Sequence, residues 1–593
     1  MRRCCLAGRS DWKGDFHASA AFSGICRPGM PRMTPRWGAR PEGGEWRFGL
    51  WSPGAAQVDL MLEGQALPMR REAKGWWDLL HPAPEGAEYL FRVDGQCVPD
   101  PASRLQAGDV HAPSRLIAPR PAPRGPARDW ASMVIYEMHV GTFTPEGSLA
   151  AAAARMELLA GLGFTAIELM PLGQWAGNRG WGYDGVLPFA PHPAYGTPDD
   201  LRALVAAAHR AGLSVILDLV MNHFGPDGAY LHAITPEFFD ADRMTPWGAA
   251  IDFGQEAVRR FWTECACHWV SEYAIDGLRL DAVHQIAGPG SRDFLHDLAA
   301  TLRGIAPVHL ITEDERNEPA LREEGGYDAS WNDDFHHAVH VALTSEDHAY
   351  YAPFAVDPVG DLALALRRGH VEEGQPRPPR DSLRGASCGH LPVTAFVNSV
   401  QTHDQVGNRA FGDRLLSIAD PAGVAVAYAL LLCAPYVPMV FMGEERGATT
   451  PFLFFADFTG DLAQAVRTGR ASEFPEVARH GDTVPDPLSM QTFAASRLDW
   501  TDDARVREWQ DLTRRALDFR ATHLLPLIRS ARRSVDVARD DASLLADWRF
   551  DAGRLRIALS LGRPGGEGIS GAQFGIGLMG RDPFAISVKV DPA

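Results

Sequence analysis

Apolar and polar residues alternate in short segments near both ends of the chain, and longer segments with helical spacing lie between them. In the N-terminal part, Glu45–Trp51, Gln57–Leu62 and Glu88–Val93 alternate with period two and are separated by turn residues such as Asp94-Gly95. This pattern is typical of strands that bury one face. Residues 34–117 are therefore predicted to form a β-sandwich.

The central part alternates between apolar strand patterns and amphipathic helix patterns, as in Ser148–Leu162, Pro198–Ala211 and Gln255–Tyr273. Strand followed by helix at this rhythm predicts parallel pairing, and about eight such units would close a barrel. We therefore predict an α/β fold with a (β/α)8 TIM barrel over residues 118–530. The seven clearest strand candidates are Val134–His139, Ala166–Met170, Ser214–Leu219, Gly277–Asp281, His309–Thr312, Ala395–Gln401 and Val437–Met442; a sixth strand in order is expected before Trp331.

The two ends differ in pattern. Residues 531–593 contain alternating runs such as Ser543–Phe550, which predict a small C-terminal β-domain. Residues 1–33 have no period, and we interpret them as a disordered leader, or as an upstream start with the true start near Met30 or Met33. Three domains suit a chain of 593 residues, which is too long for a single core.

Charge and composition narrow the function classes. The formal charge is −18 and no long Lys/Arg run is present, which argues against nucleic acid or an anionic membrane as the main partner. No apolar run reaches the roughly 18–20 residues that span a bilayer. The eight cysteines are scattered, and no secretory signal pattern opens the chain, so free thiols in the cytoplasm are the favoured interpretation.

The segment Asp276–His284 reads as a buried strand that runs into a loop. Arg279 and Asp281 are two residues apart and therefore lie on the same side of that strand. A fixed guanidinium favours the ionised carboxylate that a nucleophilic aspartate requires. A plain Arg–Asp pair that braces the strand is the open alternative.

Acidic residues end several predicted strands, and the carboxyl ends of barrel strands meet at one rim. Asp281 ends the fourth strand, Glu313 the fifth, and Asp404 follows the seventh, while the third runs into Asp218–His223. Two carboxyl groups that face each other across a bond can hydrolyse an acetal, one as nucleophile and the other as proton donor. A divalent metal site is the alternative, but the positive charge of Arg279 opposes a cation there, and we predict none.

These segments resemble the α-amylase superfamily of glycoside hydrolases in order and spacing, and Trp181–Gly185 and Phe441–Glu445 fit the same pattern. A narrower resemblance, to the malto-oligosyltrehalose trehalohydrolase family, is carried by Thr245–Gly248, Trp331–His337, His403–Arg409, Pro451–Phe455, Val484–Pro487 and Ser496–Trp500. Thr402 and Asp252 depart from the family pattern, which often has Asn at both positions.

The resemblance implies a retaining hydrolase that cleaves the α-1,4-glucosidic bond next to the terminal trehalose of maltooligosyl trehalose and needs no cofactor. Asp281 would be the nucleophile, Glu313 the general acid/base, and Asp404 would hold ring hydroxyls. It also implies a β-sandwich of the carbohydrate-binding type and an upstream maltooligosyl trehalose synthase. The predicted substrate-binding residues are Tyr183, Asp184, His223, Arg279, His284, Trp331, Asp334, Phe335, His336, His403 and Gln405; of these, Trp331, Asp334, Phe335 and His336 would recognise the trehalose end.

Two other functions remain open at this point. A glycogen branching or debranching enzyme would share the sandwich, the barrel and the three carboxylates; the segments Trp331–His337 and His403–Arg409 favour the trehalohydrolase. A non-catalytic glycan-binding protein would be expected to lack one of the carboxylates, and all three are present.

Overall fold

A computed structural model describes residues 34–323, 326–479 and 482–593. The predicted leader, residues 1–33, lies outside the described residues. Within the described ranges, every helix is too short or too polar to traverse a lipid bilayer.

The N-terminal part is a sandwich of two antiparallel sheets, as the alternating pattern predicts. Trp51, Trp76 and Trp77 are each about 95% buried and pack the core of the sandwich. One sheet contains Gly38–Glu42, Glu45–Trp51, Trp76–His81 and Arg70–Arg71; the other contains Gln65–Pro68, Val58–Leu62, Glu88–Val93, Gln96–Val98 and Ser114–Arg115.

Eight parallel strands close the central barrel, which confirms the predicted fold class. The sixth strand, whose position the sequence leaves open, is only three residues long, too short to show a periodic pattern. In chain order the barrel strands are Ile135–Met138, Ala166–Leu169, Ser214–Leu219, Gly277–Leu280, His309–Thr312, Ala329–Trp331, Phe396–Ser399 and Val437–Phe441.

Helices follow the strands and cover the barrel. The helix predicted over Ser148–Leu162 is two helices, Leu149–Ala153 and Met156–Leu162. Thr197 and Asp200 form a reciprocal capping box that starts the next helix. That helix is Pro198–Arg210, and the main helices after it are Glu256–Glu272, Ser291–Ile305, Asp333–Thr344, Pro358–Arg368, Pro421–Cys433, Gly460–Ser472 and Ala504–Phe519.

The C-terminal part is an antiparallel sheet of five strands. The last sandwich strand ends at Arg115 and the C-terminal sheet begins at Arg532, so the predicted boundaries near residues 117 and 530 fall between elements. We therefore propose the same division into domains. In spatial order the C-terminal strands are Arg532–Arg539, Ser543–Phe550, Gly553–Leu561, Phe584–Pro592 and Phe574–Ile576.

A buried contact joins the sandwich to the barrel. Glu264, on the helix Glu256–Glu272, accepts hydrogen bonds from the backbone amides of Arg36 (2.9 Å) and Trp37 (3.0 Å). The Trp37 indole is fully buried and donates to the Ala257 carbonyl at 3.0 Å. The start of the sandwich is thus fixed to one helix of the barrel.

Candidate active site

Arg279 lies at the centre of the rim formed by the carboxyl ends of the barrel strands, and it is fully buried. Its Nη1 donates to Asp218 Oδ2 (2.6 Å) and Asp281 Oδ1 (2.8 Å). Its Nη2 forms an ion pair with Glu313 Oε2 at 2.9 Å. One guanidinium therefore holds the carboxyl groups of three neighbouring strand ends together.

The backbone after Asp281 turns sharply, because Ala282 adopts the left-handed conformation (φ 42°, ψ 51°). That conformation disfavours a residue with a Cβ by about 1–2 kcal/mol. It directs the Ala282 amide onto Glu313 Oε2 at 2.8 Å, while Asn222 Nδ2 donates to Asp281 Oδ2 at 2.7 Å. Asp281 and Glu313 are thus fixed by side-chain and backbone donors on adjacent strands.

Tyr183 and Asp218 lie next to Arg279 and are hydrogen-bonded to each other. The Tyr183 hydroxyl donates to Asp218 Oδ2 at 2.5 Å. Burial raises the pKa of Asp218 to about 7, and the adjacent Arg279 charge opposes that rise. Burial, followed by the charge of Asp218, raises the pKa of Tyr183 well above its usual value, so the phenol stays protonated and remains a donor.

His403 carries a positive charge in this site. Its Nδ1 lies 2.5 Å from Glu137 Oε1, and its Nε2 lies 3.4 Å from Asp404 Oδ1. Burial lowers its pKa, but the Asp404 and Glu137 carboxylates outweigh burial and raise the pKa to about 9. The ring stacks on Tyr183 with centroids 5.1 Å apart.

Thr402, one of the two departures from the family pattern, starts the helix His403–Gly407. Its hydroxyl accepts from the Asp404 amide, and Gln405 completes the capping box. Threonine can supply the same cap as asparagine, so this departure keeps the local backbone in place. Asp404 itself is 36% exposed at the mouth of the site.

His223 lies beside the backbone of Tyr183. Its Nε2 contacts the Tyr183 carbonyl (2.9 Å), and its ring stacks on Trp247 with centroids 4.2 Å apart. Burial lowers the pKa of His223 to about 4, so this ring is neutral. Asp184 is half-buried, and burial raises its pKa to about 6. His284 is half-buried as well and lies 3.4 Å from Glu315.

The helix Asp333–Thr344 corrects part of the sequence prediction. Asp334, Phe335 and His336 are fully buried and cannot meet a sugar in this structure. Asp334 accepts from the amides of Val371 (2.7 Å) and Glu372 (2.9 Å) and is ion-paired with Arg384; His336 Nδ1 lies 2.6 Å from the Val400 carbonyl.

Trp331 also has a different position from the predicted one. It belongs to the buried core inside the barrel, and its ring lies under the guanidinium of Arg279 at 4.0 Å. A cation over an indole face is attracted electrostatically. Trp331 therefore braces Arg279 and does not line the trehalose end.

The residue that reaches the site from this helix is Asp333. It is partly exposed and accepts from Gln405 Nε2 at 3.2 Å. Burial, then the charges of Glu313 and Asp404, raise its pKa to about 7. Sequence reasoning selected Asp334 because the turn that starts the helix, and hence which of two adjacent acids faces inward, is not encoded in the local pattern.

In the described part of the chain, no cluster of three or more His, Cys, Asp or Glu side chains has the geometry to hold a metal ion. The rim residues are instead bound to Arg279 and to backbone amides.

Family models match two parts of this chain. Residues 36–105 match carbohydrate-binding module 48 (isoamylase N-terminal domain), and residues 117–242 match the alpha amylase catalytic domain. These matches agree with the sandwich and with the first part of the barrel.

Relatives and solved structures extend the likeness over most of the chain. A malto-oligosyltrehalose trehalohydrolase of Deinococcus radiodurans is 41% identical over 476 residues, 78% of each chain. This chain belongs to the malto-oligosyltrehalose trehalohydrolase family. The family relative from Saccharolobus solfataricus is 39% identical and covers 76% of this chain and 82% of its own.

A crystal structure of a putative alpha amylase from Salmonella typhimurium is 42% identical, with a TM-score of 0.90 over 94% of this chain and all of that one. A pullulanase from Anoxybacillus sp. LM18-11, at 17% identity and a TM-score of 0.70 over 93% of this chain and 87% of that one, shares the fold.

Proposed function

We propose that this protein is a retaining glycoside hydrolase that cleaves the α-1,4-glucosidic bond next to the terminal trehalose of maltooligosyl trehalose and releases trehalose. The observation that carries the chemistry is the shared guanidinium, with Asp281 on Arg279 Nη1 and Glu313 on Nη2. Membership of the malto-oligosyltrehalose trehalohydrolase family supports maltooligosyl trehalose as the substrate.

In the first step, Glu313 gives a proton to the glycosidic oxygen and Asp281 attacks the anomeric carbon from the opposite face. The C–O bond to trehalose breaks, and a covalent glycosyl–aspartate forms with inversion. Glu313 Oε2 is held by Arg279 and the Ala282 amide, which leaves Oε1 to carry the transferred proton.

In the second step, a water enters where trehalose has left. Glu313, now ionised, takes a proton from that water, and the oxygen attacks the anomeric carbon with a second inversion. Asp281 leaves as the carboxylate, which Arg279 and Asn222 stabilise with hydrogen bonds of 2.8 and 2.7 Å. The net outcome is retention of the α configuration.

The other rim residues would hold the sugar that is cleaved. Asp404 accepts from ring hydroxyls. The predicted sugar contact of His403 is replaced by a supporting one, because His403 is 1% exposed and its Nε2 lies 3.4 Å from Asp404, whose carboxylate it holds in place. The Tyr183 ring packs on the sugar face, since C–H groups of a pyranose suit an aromatic surface. His223, Asp184, His284 and Gln405 border the same mouth as lesser contacts.

The substrate places the protein in a sequence of reactions. A glucan that ends in trehalose has to be made by a second enzyme, so we propose that a maltooligosyl trehalose synthase acts upstream in the same compartment. We propose the cytoplasm as that compartment; the five cysteines within the described residues are free thiols, which a reducing environment permits.

One incubation separates this proposal from its rivals. Equal amounts of maltotriosyl trehalose, maltohexaose and amylopectin are offered, and products are resolved by chromatography. The proposal expects rapid release of trehalose with little change in the other two. New α-1,6 branches would identify a branching enzyme, hydrolysis of α-1,6 bonds a debranching enzyme, and binding without products a glycan-binding protein.

A further inference from the structure

A cavity of about 440 Å³ lies between the sandwich and the barrel, away from the rim described above. The sandwich side is formed by the strand Gly38–Glu42 and by Arg104, and the barrel side by the end of the helix Glu256–Glu272 and by Tyr273. Ala39, Ile117 and Ala118 add apolar surface. A cavity of this size holds a small organic molecule.

The acidic residues that line the cavity are already satisfied. Glu264 accepts two backbone amides and the Arg260 side chain, and Glu272 is ion-paired with Arg202. Glu42 accepts from Arg47 at 2.7 and 2.6 Å. The charges of these carboxylates are therefore balanced without a cation bound inside the cavity.

Two arginines on the sandwich side are not neutralised in the same way. Arg40 Nη1 is buried without a hydrogen-bond partner among the described residues, and the distance from Arg40 to Glu42 is 3.9 Å. Arg104 donates to the Ala39 carbonyl and forms no ion pair within the described ranges. Burial lowers the pKa of Arg40, the carboxylates of Glu264 and Glu42 offset this only in part, and the Arg104 charge adds to it.

The barrel side contributes neutral polar groups. His268 is 7% exposed, and its Nε2 has no hydrogen-bond partner in the described part of the chain. Burial, followed by the charge of Arg104, lowers the pKa of His268 well below its usual value. A neutral imidazole can donate to or accept from a hydroxyl, depending on its tautomer.

We propose that this cavity binds a small organic oxyanion, a phosphate monoester or carboxylate with a body no larger than a hexose. Arg40 and Arg104 would hold the charged group, because guanidinium forks match carboxylate and phosphate geometry. His268 and the apolar wall would receive the body. The ligand would bridge the sandwich and the barrel, so its binding would stabilise their contact.

The test uses the full-length protein and isothermal titration calorimetry with inorganic phosphate, glucose 6-phosphate and citrate. At least one probe should bind with 1:1 stoichiometry and raise the melting temperature by about 2 °C at a hundredfold excess over its Kd. Binding of the phosphate probes alone identifies the ligand as a phosphate, and binding of citrate alone identifies it as a carboxylate. If none of the three binds, or if sodium chloride of matched ionic strength gives the same shift, the proposal is wrong.

Variants locate the binding. Arg40→Gln and Arg104→Gln should each raise the Kd at least tenfold, and Ala118→Trp, which fills the cavity, should abolish binding. Arg92→Gln is the matched control, because Arg92 pairs with Asp59 on the same sandwich outside the cavity. Unchanged affinity in all folded cavity variants would place the anion elsewhere and overturn the proposal.

Discussion

Arg279 holds two carboxylates that have to play opposite parts, one as nucleophile and one as proton donor. Their environments differ in one respect. Asp281 accepts from Arg279 and from Asn222 on separate oxygens, whereas the Ala282 hydrogen bond and the Arg279 ion pair both reach Oε2 of Glu313. Both oxygens of Asp281 thus accept hydrogen bonds, whereas Glu313 has one oxygen left for proton transfer.

This difference predicts how the two variants separate. Asp281→Asn and Glu313→Gln should each lower kcat on maltotriosyl trehalose by about 10³-fold or more while the fold is kept. On α-maltotriosyl fluoride, whose leaving group needs no proton, Glu313→Gln should retain its first turnover and Asp281→Asn should not. Rates are measured by single-turnover kinetics.

Glu315→Gln is the matched control for both variants, since the Glu315 side chain is exposed and its one ion pair within the described residues is with His284. It should react at the wild-type rate. Near-normal turnover of either rim variant, or equal loss on the fluoride, would show that the roles are misassigned.

The charge on His403 predicts a pH dependence of stability. Its pKa in the folded protein is about 9, above the usual value near 6.5. Between these values the folded state binds the proton and the unfolded state does not, so stability falls as pH rises. Compared with His403→Gln, the wild-type advantage should be largest at pH 6 and shrink by roughly 3 kcal/mol by pH 9.5.

Urea unfolding of the wild type and of His403→Gln at pH 6, 7.5 and 9.5 measures that difference. Comparing the two proteins removes the contribution of other groups that titrate in the same range, such as Asp218. An advantage that stays constant or grows with pH would mean that His403 is neutral in the folded protein.

At the scale of elements, the strand ends were predictable, but the start of the helix that follows the sixth strand was not. Asp281, Glu313 and Asp404 follow strands whose apolar pattern marks their ends, so their convergence follows from barrel topology. The helix after the sixth strand begins at Asp333, one residue after a strand of only three residues. A strand this short does not show where the next helix begins. The sequence therefore does not reveal which of the two adjacent aspartates faces the site, and it predicts Asp334 in place of Asp333.

The two adjacent acids predict opposite phenotypes. Asp334→Asn should lower stability by about 3 kcal/mol, because it removes a fully buried carboxylate that pairs with Arg384 and accepts the Val371 and Glu372 amides. Asp333→Asn should leave stability nearly unchanged and raise KM for maltotriosyl trehalose, because Asp333 borders the site through Gln405. Denaturation and steady-state kinetics on both variants test this; the reverse assignment of effects would restore the original prediction for Asp334.

At the scale of the whole molecule, stability depends on how the sandwich is fixed to the barrel. Trp37 is fully buried against the helix Glu256–Glu272, and its indole bond to Ala257 joins the two parts. The contact could not be predicted from the sequence, since it pairs residues more than 200 positions apart, and no period links them.

Trp37→Ala should therefore destabilise the protein by about 3–5 kcal/mol through the cavity and the lost bond. Thermal unfolding and limited proteolysis measure the effect. Val356→Ala, at a position that is 86% exposed, is the control and should behave as wild type. If Trp37→Ala melts with the wild type, the sandwich does not contribute to the stability of the barrel.

The stereochemistry of the first turnovers is the most direct test of the account. Hydrolysis of maltotriosyl trehalose is followed by proton NMR, which separates the two anomers of the new reducing end before they interconvert. Asp281 and Glu313 acting as proposed predict trehalose together with α-maltotriose as the first products. If β-maltotriose appears first, or if the first cleavage releases no trehalose, that central claim is contradicted.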